Sequence, residues 1–327
     1  MSFIPLQHPH LLYFLKEPFF YLCPKPNNTK FFNLFIDIRF FIFIIFHSSI
    51  HKSFDLYYNE KKMPELPEVE TIRRGLETTI VGKTIVDVDV LDPYMLSISP
   101  EEFREKLKGK RIERVRRRGK YLIFELDGDE ELIIHLRMTG QLRLNEGEYT
   151  RLIFHIDGLK LYFSDLRRMG EMHIVKKGRY DDIEGLATMG PEPLSEAFTL
   201  SYLMDVLKKK GGKIKAVLMD QAVVAGIGNI YANEILFEAG IHPERPAKSL
   251  TAKEIENIYK AIRKILEEAL EAGGETFSNY VNIYGEAGTY QPRVYQREGE
   301  KCVRCGEVIV SKTIGGRSAY FCPNCQI

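Results

Sequence analysis

The chain is predicted to be an α+β protein of 327 residues: a short helix, an N-terminal β-sandwich or barrel, a helical domain and a small C-terminal cysteine-bearing module. Three observations predict this. Apolar residues alternate with period two from about residue 84 to 176, the pattern of half-buried strands. Beyond a turn-rich passage at 185–193, the apolar spacing changes to the threes and fours of helices. Four of the five cysteines lie in the last 36 residues as two C-x2-C pairs.

Residues 1–62 precede all of these elements and differ from them. They contain no Gly, Ala or Val but 12 of the 20 Phe, and all 25 Gly follow them. Their most apolar run, Phe40 to Phe46, is seven residues long and follows Asp37 and Arg39, too short for the roughly 30 Å of a bilayer core. Pro, Asn and His interrupt the apolar runs and no Ala offers a cleavage site, which argues against a signal peptide. The Phe, Ile, Asn, Lys and Tyr bias is what AT-rich upstream DNA encodes. Met63 is therefore expected to be the true start, and 1–62 a mis-assigned extension; a membrane-associating tail is the alternative. From Met63 onward there are 265 residues with 39 basic and 41 acidic side chains, so the remaining body is near neutral.

The first helix is predicted after Pro67, where Val69, Ile72 and Leu76 share a face and Gly82 follows. Strands are expected at Val86-Val88-Val90, Leu122-Phe124-Leu126, Leu132-Ile134-Leu136, Leu152-Phe154-Ile156 and Leu159-Leu161-Phe163. The Gly190-Pro191-Glu192-Pro193 passage sets a domain boundary near 190, giving expected domains 63–190, 191–290 and 291–327. In the second of these, Thr251 and Glu254 form a capping box, Ile255, Ile258, Ile262, Ile265 and Leu266 form an apolar face, and Gly273-Gly274 ends the helix.

Cys302-x2-Cys305 and Cys322-x2-Cys325 can place four thiolates tetrahedrally around one zinc. Disulfides are the alternative, but nothing in the sequence indicates secretion. The C-terminal module is therefore expected to be a zinc finger. With every position filled by protein, the metal is structural and holds a hairpin at 308–320 that presents Arg317 at the Gly315-Gly316-Arg317 turn.

Between Arg104 and Lys120 stand ten Lys or Arg and two Glu. Such a strip attracts a phosphate backbone by counterion release, although charge runs are also ordinary solvated faces. Lys120 opens a strand, where a sheet can position it. If the chain starts at Met63, removal of that Met leaves Pro64 as a free secondary amine. Its unperturbed pKa is about 7.7–8.0, and the positive end of the following helix favours the neutral, nucleophilic form. Such an amine attacking a sugar C1′ forms an iminium ion directly. Glu65 and Glu68 are the adjacent candidates for general acid or base, though the same three residues also suit a plain helix start.

Met63-Pro64-Glu65-Leu66-Pro67-Glu68-Val69-Glu70-Thr71 resembles the N-terminus of the bacterial formamidopyrimidine-DNA glycosylases, bifunctional 8-oxoguanine DNA glycosylases and AP lyases. His135-Leu136-Arg137-Met138-Thr139-Gly140, Asp220-Gln221, Gly226-Ile227-Gly228-Asn229-Ile230-Tyr231-Ala232 and Cys322-Pro323-Asn324-Cys325-Gln326 fit the family in order, over 63–327. The resemblance implies a catalytic β-sandwich, a helix-two-turn-helix DNA-binding domain and a zinc finger with one structural zinc. It also implies action as a monomer on double-stranded DNA carrying oxidised bases or abasic sites. The location implied is cytoplasmic, on the nucleoid when DNA is bound.

It further implies that Pro64 attacks C1′ and carries the Schiff base, that Glu65 handles protons on sugar and base, and that Glu68 is an additional carboxylate of the pocket. Lys120 would contact the lesion-side phosphate and assist catalysis. Asn229 and Arg317 match a phosphate clamp, with His135, Lys215 and Tyr295 as neighbouring contacts. The glycines before Asn229 would let backbone approach phosphate, with helix N–H groups directed outward. Met138 and Arg167 match two of three wedge side chains that fill the gap left by a flipped nucleotide. Met169 stands where the third is usually Phe, Arg167 would read the orphaned cytosine, and Arg168 a phosphate. The segment 273–291 resembles a lesion-covering loop, with Ser278-Asn279-Tyr280 replacing an Arg-containing form and Gln296 where Gly is usual. The nearest rival is an endonuclease VIII type glycosylase for oxidised pyrimidines, against which Leu66 to Thr71 argues. The others are a zinc-ribbon nucleic-acid-binding protein without catalysis, and a damage-binding or membrane-associated protein whose amine the extension blocks.

Overall fold

The computed structural model describes residues 63–183, 185–276 and 280–327; the expectations for 1–62 and for Ser278 and Asn279 lie outside the described residues. Helix α1 (Leu66–Ile80) begins with Pro67 in its first turn, where a missing N–H costs nothing. The backbone N–H of Glu65 donates to Glu68 Oε2 at 2.9 Å. Two antiparallel four-stranded sheets follow, one ordered β1-β6-β7-β5 and the other β2-β3-β4-β8. The first contains β1 (Ile85–Val90), β5 (Gly140–Arg143), β6 (Thr150–Ile156) and β7 (Leu159–Asp165); the second contains β2 (Ile112–Arg118), β3 (Tyr121–Leu126), β4 (Glu130–His135) and β8 (Glu171–Lys176). Their facing side chains, Val69, Ile72 and Leu76 of α1, and Phe103 and Leu107 of α2 (Pro100–Leu107) form one buried core.

The helical part contains α3 (Leu200–Lys209), α4 (Ile214–Leu218), α5 (Asn229–Ala239) and α6 (Ala252–Glu271). The predicted capping box closes the start of α6, with Thr251 N donating to Glu254 Oε2 at 2.7 Å and Glu254 N donating to Thr251 Oγ1 at 3.3 Å. The finger hairpin, β9 (Val310–Ile314) and β10 (Arg317–Phe321), shares the helical core through Ile309, Tyr320, Cys302 and Cys322. Among the described residues, no helix is long and apolar enough to cross a membrane.

Strand β2 escaped the period-two reading because its buried residues, Ile112 and Val115, are three apart. A register shift between Ile112 and Arg114 turns both to the core, as a β-bulge does. The basic strip is corrected by the same region. Arg104 pairs with Asp87, Lys106 with Glu130, Arg116 with Glu125 and Glu131, Arg117 with Glu70 and Glu192, and Arg118 with Glu192. Five of its ten cations are thus paired with carboxylates within the fold, which halves the open positive charge the run offers to phosphate.

The first turn of α1 joins the two halves. Leu66 belongs to the helical core, whereas Val69 onward belongs to the sandwich. Leu66 N donates to Gly226 O at 3.1 Å, and Gly226 has φ +82°, with Leu66 Cβ only 2.6 Å from where its own Cβ would stand. Full burial of Leu66 contributes roughly 1.5–3 kcal/mol. The contact delivers Glu65 to the start of α5.

Candidate active site

Glu65 is buried at the N-terminus of α5, the natural position for a carboxylate. Gly228 occupies the N-cap of that helix and has no side chain with which to cap it. Glu65 fills the role from the other half of the protein: its Oε2 accepts from Gly228 N at 2.8 Å and Tyr231 N at 3.2 Å, and its Oε1 from Ile230 N at 2.8 Å. These N–H groups are therefore committed to Glu65, which corrects the expectation that they point outward to phosphate. A Cβ on Gly228 would lie 2.6 Å from Lys120 Nζ and 2.5 Å from Glu65 Cδ, so glycine is required where carboxylate and ammonium meet.

Burial pushes the Glu65 carboxyl above its ordinary range, against the pull of Lys120 and the three N–H groups. Burial likewise pulls the Lys120 ammonium down, and Glu65 partly restores it. Each member of the pair is thus displaced toward its neutral form, which suits groups that give or take a proton. Glu68 lies one layer behind and is also raised by burial. Its Oε1 accepts from Tyr231 Oη at 2.6 Å and Glu275 N at 3.0 Å.

A cavity of about 300 Å³ opens over this pair and is lined by Glu65, Lys120, His135, Asn229, Tyr295 and Arg317, with Met63 and Arg137 among its other walls. His135 packs edge-on against Tyr121 and accepts the Arg137 N–H at Nδ1, 2.9 Å away. Burial lowers its pKa to about 3, so it is neutral and offers its Nε2–H. Lys215 is fully buried behind the wall. Its Nζ donates to Asn229 Oδ1 at 2.6 Å and Ser318 O at 2.9 Å, and burial lowers its pKa to about 8. Pro64 is buried beside Glu65.

The proposed wedge residues form a separate cluster. Arg167 Nη1 lies 3.6 Å from Met138 Sδ, Met169 is 42% exposed, and Arg168 pairs with Asp92 at 3.0 Å over the Tyr94 ring. Sequence reasoning passed over the residue that organises them. Asp165 is fully buried and accepts from Tyr94 Oη at 2.5 Å, the Thr139 hydroxyl, and the N–H groups of Arg167, Met169 and Gly170. Burial opposes its charge, but these donors outweigh it and hold the pKa low. Its position at the end of an apolar strand was the available signal.

The four finger cysteines form no disulfide, and their sulfurs all lie within 4.8 Å of one another. Cys302 and Cys325 sulfurs are 3.9 Å apart and those of Cys305 and Cys322 are 3.5 Å apart. A tetrahedron with Zn–S of about 2.3 Å needs sulfurs about 3.8 Å apart, so the cage fits zinc and is too open for disulfides.

Family models match three stretches: the formamidopyrimidine-DNA glycosylase N-terminal domain over 63–172, its H2TH domain over 189–281, and the zinc finger found in FPG and IleRS over 299–327. A formamidopyrimidine-DNA glycosylase of Pelotomaculum thermopropionicum is 44% identical over 274 residues, covering 81% of this chain and 99% of its own. The chain belongs to the formamidopyrimidine-DNA glycosylase family. Its fold is that of the family: the MutM (Fpg) protein of Thermus thermophilus superposes with a TM-score of 0.76 at 44% identity, covering 80% of this chain and 98% of that one. A Lactococcus lactis Fpg solved with abasic-site DNA gives 0.75 at 38% identity, covering 80% and 99%. As in that family, the finger of this chain is a zinc site. Cys302→Ser is expected to release the zinc and abolish DNA binding while the sandwich keeps its strands, because Cys302 is part of the helical core and not of the sandwich; zinc content, circular dichroism and a binding titration check this.

Proposed function

We propose that this chain is a bifunctional glycosylase that excises oxidised purines, 8-oxoguanine and formamidopyrimidines, from duplex DNA and cleaves the abasic site by β,δ-elimination. The observation that carries the reading is the pair of buried Glu65 and half-buried Lys120 at the start of α5, next to Pro64 and open to a cavity. In this reading Pro64 is a free N-terminal amine whose lone pair attacks C1′. As the glycosidic bond breaks, the attacking amine gives up its own N–H proton, which leaves on the base. Glu65, with its raised pKa, supplies the proton that opens the sugar ring, and Lys120 stabilises the negative charge. The resulting iminium ion acidifies the C2′ proton. Its loss expels the 3′-phosphate, and a second elimination expels the 5′-phosphate.

The other residues act on DNA without bond-making. The Lys215 contact commits the Asn229 amide oxygen, so the NH2 end is the one a phosphate oxygen meets. Arg317 supplies charge from the finger, and His135 and Tyr295 supply neutral contacts. Glu68 orients the first turn through Glu65 N and Tyr231. Met138, Arg167 and Met169 enter the duplex, held in register by Asp165, while Arg168 exchanges Asp92 for a phosphate. The complexes of Lactococcus lactis relatives with Fapy-dG DNA and with abasic-site DNA support the choice of substrate. The test uses protein beginning at Pro64 and duplexes with 8-oxoguanine opposite cytosine or with thymine glycol. Release of 8-oxoguanine with β,δ-elimination ends is expected. Preferential attack on thymine glycol would transfer the chain to pyrimidine repair, and binding without cleavage would make it a recognition module.

A further inference from the structure

Asn229 and Arg317 face one cavity from different parts of the chain, and their separation must be fixed for a shared phosphate to fit. A zinc held by the four cysteines would fix the knuckles of the finger, and the finger meets the far end of α5 through Arg304 Nη1 to Phe237 O at 3.0 Å and Ile327 N to Gly240 O at 3.1 Å. Neither contact reaches the cavity end. There, the edge of β10 that does not pair with β9 is tied to the first turns of α5 by two side chains. Lys215 bridges Asn229 Oδ1 and Ser318 O. Asn233, only 1% exposed and not among the cavity walls, bridges Asn229 O, to which its Nδ2 donates at 2.5 Å, and Tyr320 N, which donates to its Oδ1 at 2.9 Å.

We propose that Asn233 is a positioning residue that sets Arg317 against Asn229 by holding the β10 edge on α5. The inference rests on the reading of Arg317 as a phosphate ligand. An amide suits the place because it offers a donor and an acceptor at once; a carboxylate lacks the donor and alanine lacks both. The next residue, Glu234, does the same for the segment leading into the finger: it accepts from Arg293, Val294 and Tyr295 N–H at 2.7, 3.0 and 2.9 Å, which places Tyr295 in the cavity wall. Consecutive side chains of one helix thus seat both segments that bring residues to Asn229.

A double-mutant cycle tests the proposal, using protein beginning at Pro64, a duplex with an abasic-site analogue, and the variants Asn233→Ala, Arg317→Ala and both together. Asn233→Ala is expected to weaken binding about tenfold and to flatten the salt dependence by up to about one phosphate, as Arg317→Ala does, and to add no further loss on top of Arg317→Ala. For Asn233→Ala, zinc stays at one per chain, and the single-turnover cleavage rate on a saturating duplex with a natural abasic site stays within about twofold of the parent. Equal losses with and without Arg317 would show general destabilisation and overturn the proposal, as would unchanged binding. If Arg317→Ala alone has no effect, the phosphate-ligand reading itself fails; if it weakens binding but Asn233→Ala does not couple to it, only the positioning role falls. Should alanine at 233 cost the zinc, Asn233→Ser is read in the same cycle with the same expectations.

Discussion

In protein beginning at Pro64, Glu65→Gln is expected to lower the rate of 8-oxoguanine excision by roughly 10²–10⁴-fold, the usual contribution of a positioned general acid or base, while cutting a preformed abasic site much less. The difference follows from what each substrate asks of the carboxyl. An intact nucleoside needs a proton delivered as the ring opens, and the buried carboxyl, raised above its ordinary range, still carries one at pH values where a solvent-exposed Glu has lost it. An abasic sugar is already partly in the open aldehyde form, so the amine can attack with less help. Activity on the lesion is therefore expected to fall as pH rises through the elevated Glu65 pKa, and the glutamine variant lacks this limb.

The same substitution has a structural cost that must be separated from the chemical one. Glu65 receives N–H groups of Gly228, Ile230 and Tyr231, and glutamine turns an NH2 toward some of them, a mismatch costing about 1–3 kcal/mol. Thermal unfolding measures that loss, and single-turnover rates on the two substrates measure the chemistry. Equal loss on both, or full excision by the variant, would remove Glu65 from proton transfer and leave it as the cap of α5.

That dual role explains what could be read from the chain and what could not. Spacing alone carried the Cys302–Cys325 cage, the Thr251 capping box and the Val69-Ile72-Leu76 face, because a capping box and a helix face depend on neighbours a few residues away and paired C-x2-C knuckles are a recognisable zinc pattern. The meeting of Glu65 with Gly228 and Lys120 depends on residues far apart in sequence, and composition holds no trace of it. Only the resemblance to a family brought those residues together in advance. Where long-range pairing decides, local reading fell short: the Arg104 to Lys120 strip looked like an open phosphate-binding face, yet Asp87, Glu70, Glu125, Glu130, Glu131 and Glu192 from other elements claim half of its cations. Strand β2 was hidden for a related reason, since its bulge is imposed by pairing with β3 and leaves only the three-residue spacing of Ile112 and Val115. Asn233 and Glu234 were missed because each declares its role through donors far along the chain, Tyr320 for one and Arg293 to Tyr295 for the other, whereas Asp165 could have been noticed from its place at the end of an apolar strand.

Keeping residues 1–62 on the chain is expected to abolish Schiff-base formation. In the continuous chain the Pro64 nitrogen is a tertiary amide: its lone pair is shared with the Met63 carbonyl, it has no proton to lose, and it cannot become an iminium ion. Met63 also lines the cavity that the sugar would enter. Release at Pro64 changes both conditions at once, giving a secondary amine with an unperturbed pKa of about 7.7–8.0 beside the positive end of α1 and emptying the place that Met63 holds. Borohydride trapping on an abasic-site duplex, run on the full chain and on protein beginning at Pro64, separates the cases, with the adduct located by peptide mass spectrometry. The expected result is an adduct on Pro64 of the short form alone. Equal trapping by the full chain, its intact mass verified, would show that another amine does the chemistry, and an adduct on Lys120 would identify that amine and reassign the Glu65–Lys120 pair from proton transfer to nucleophile and partner.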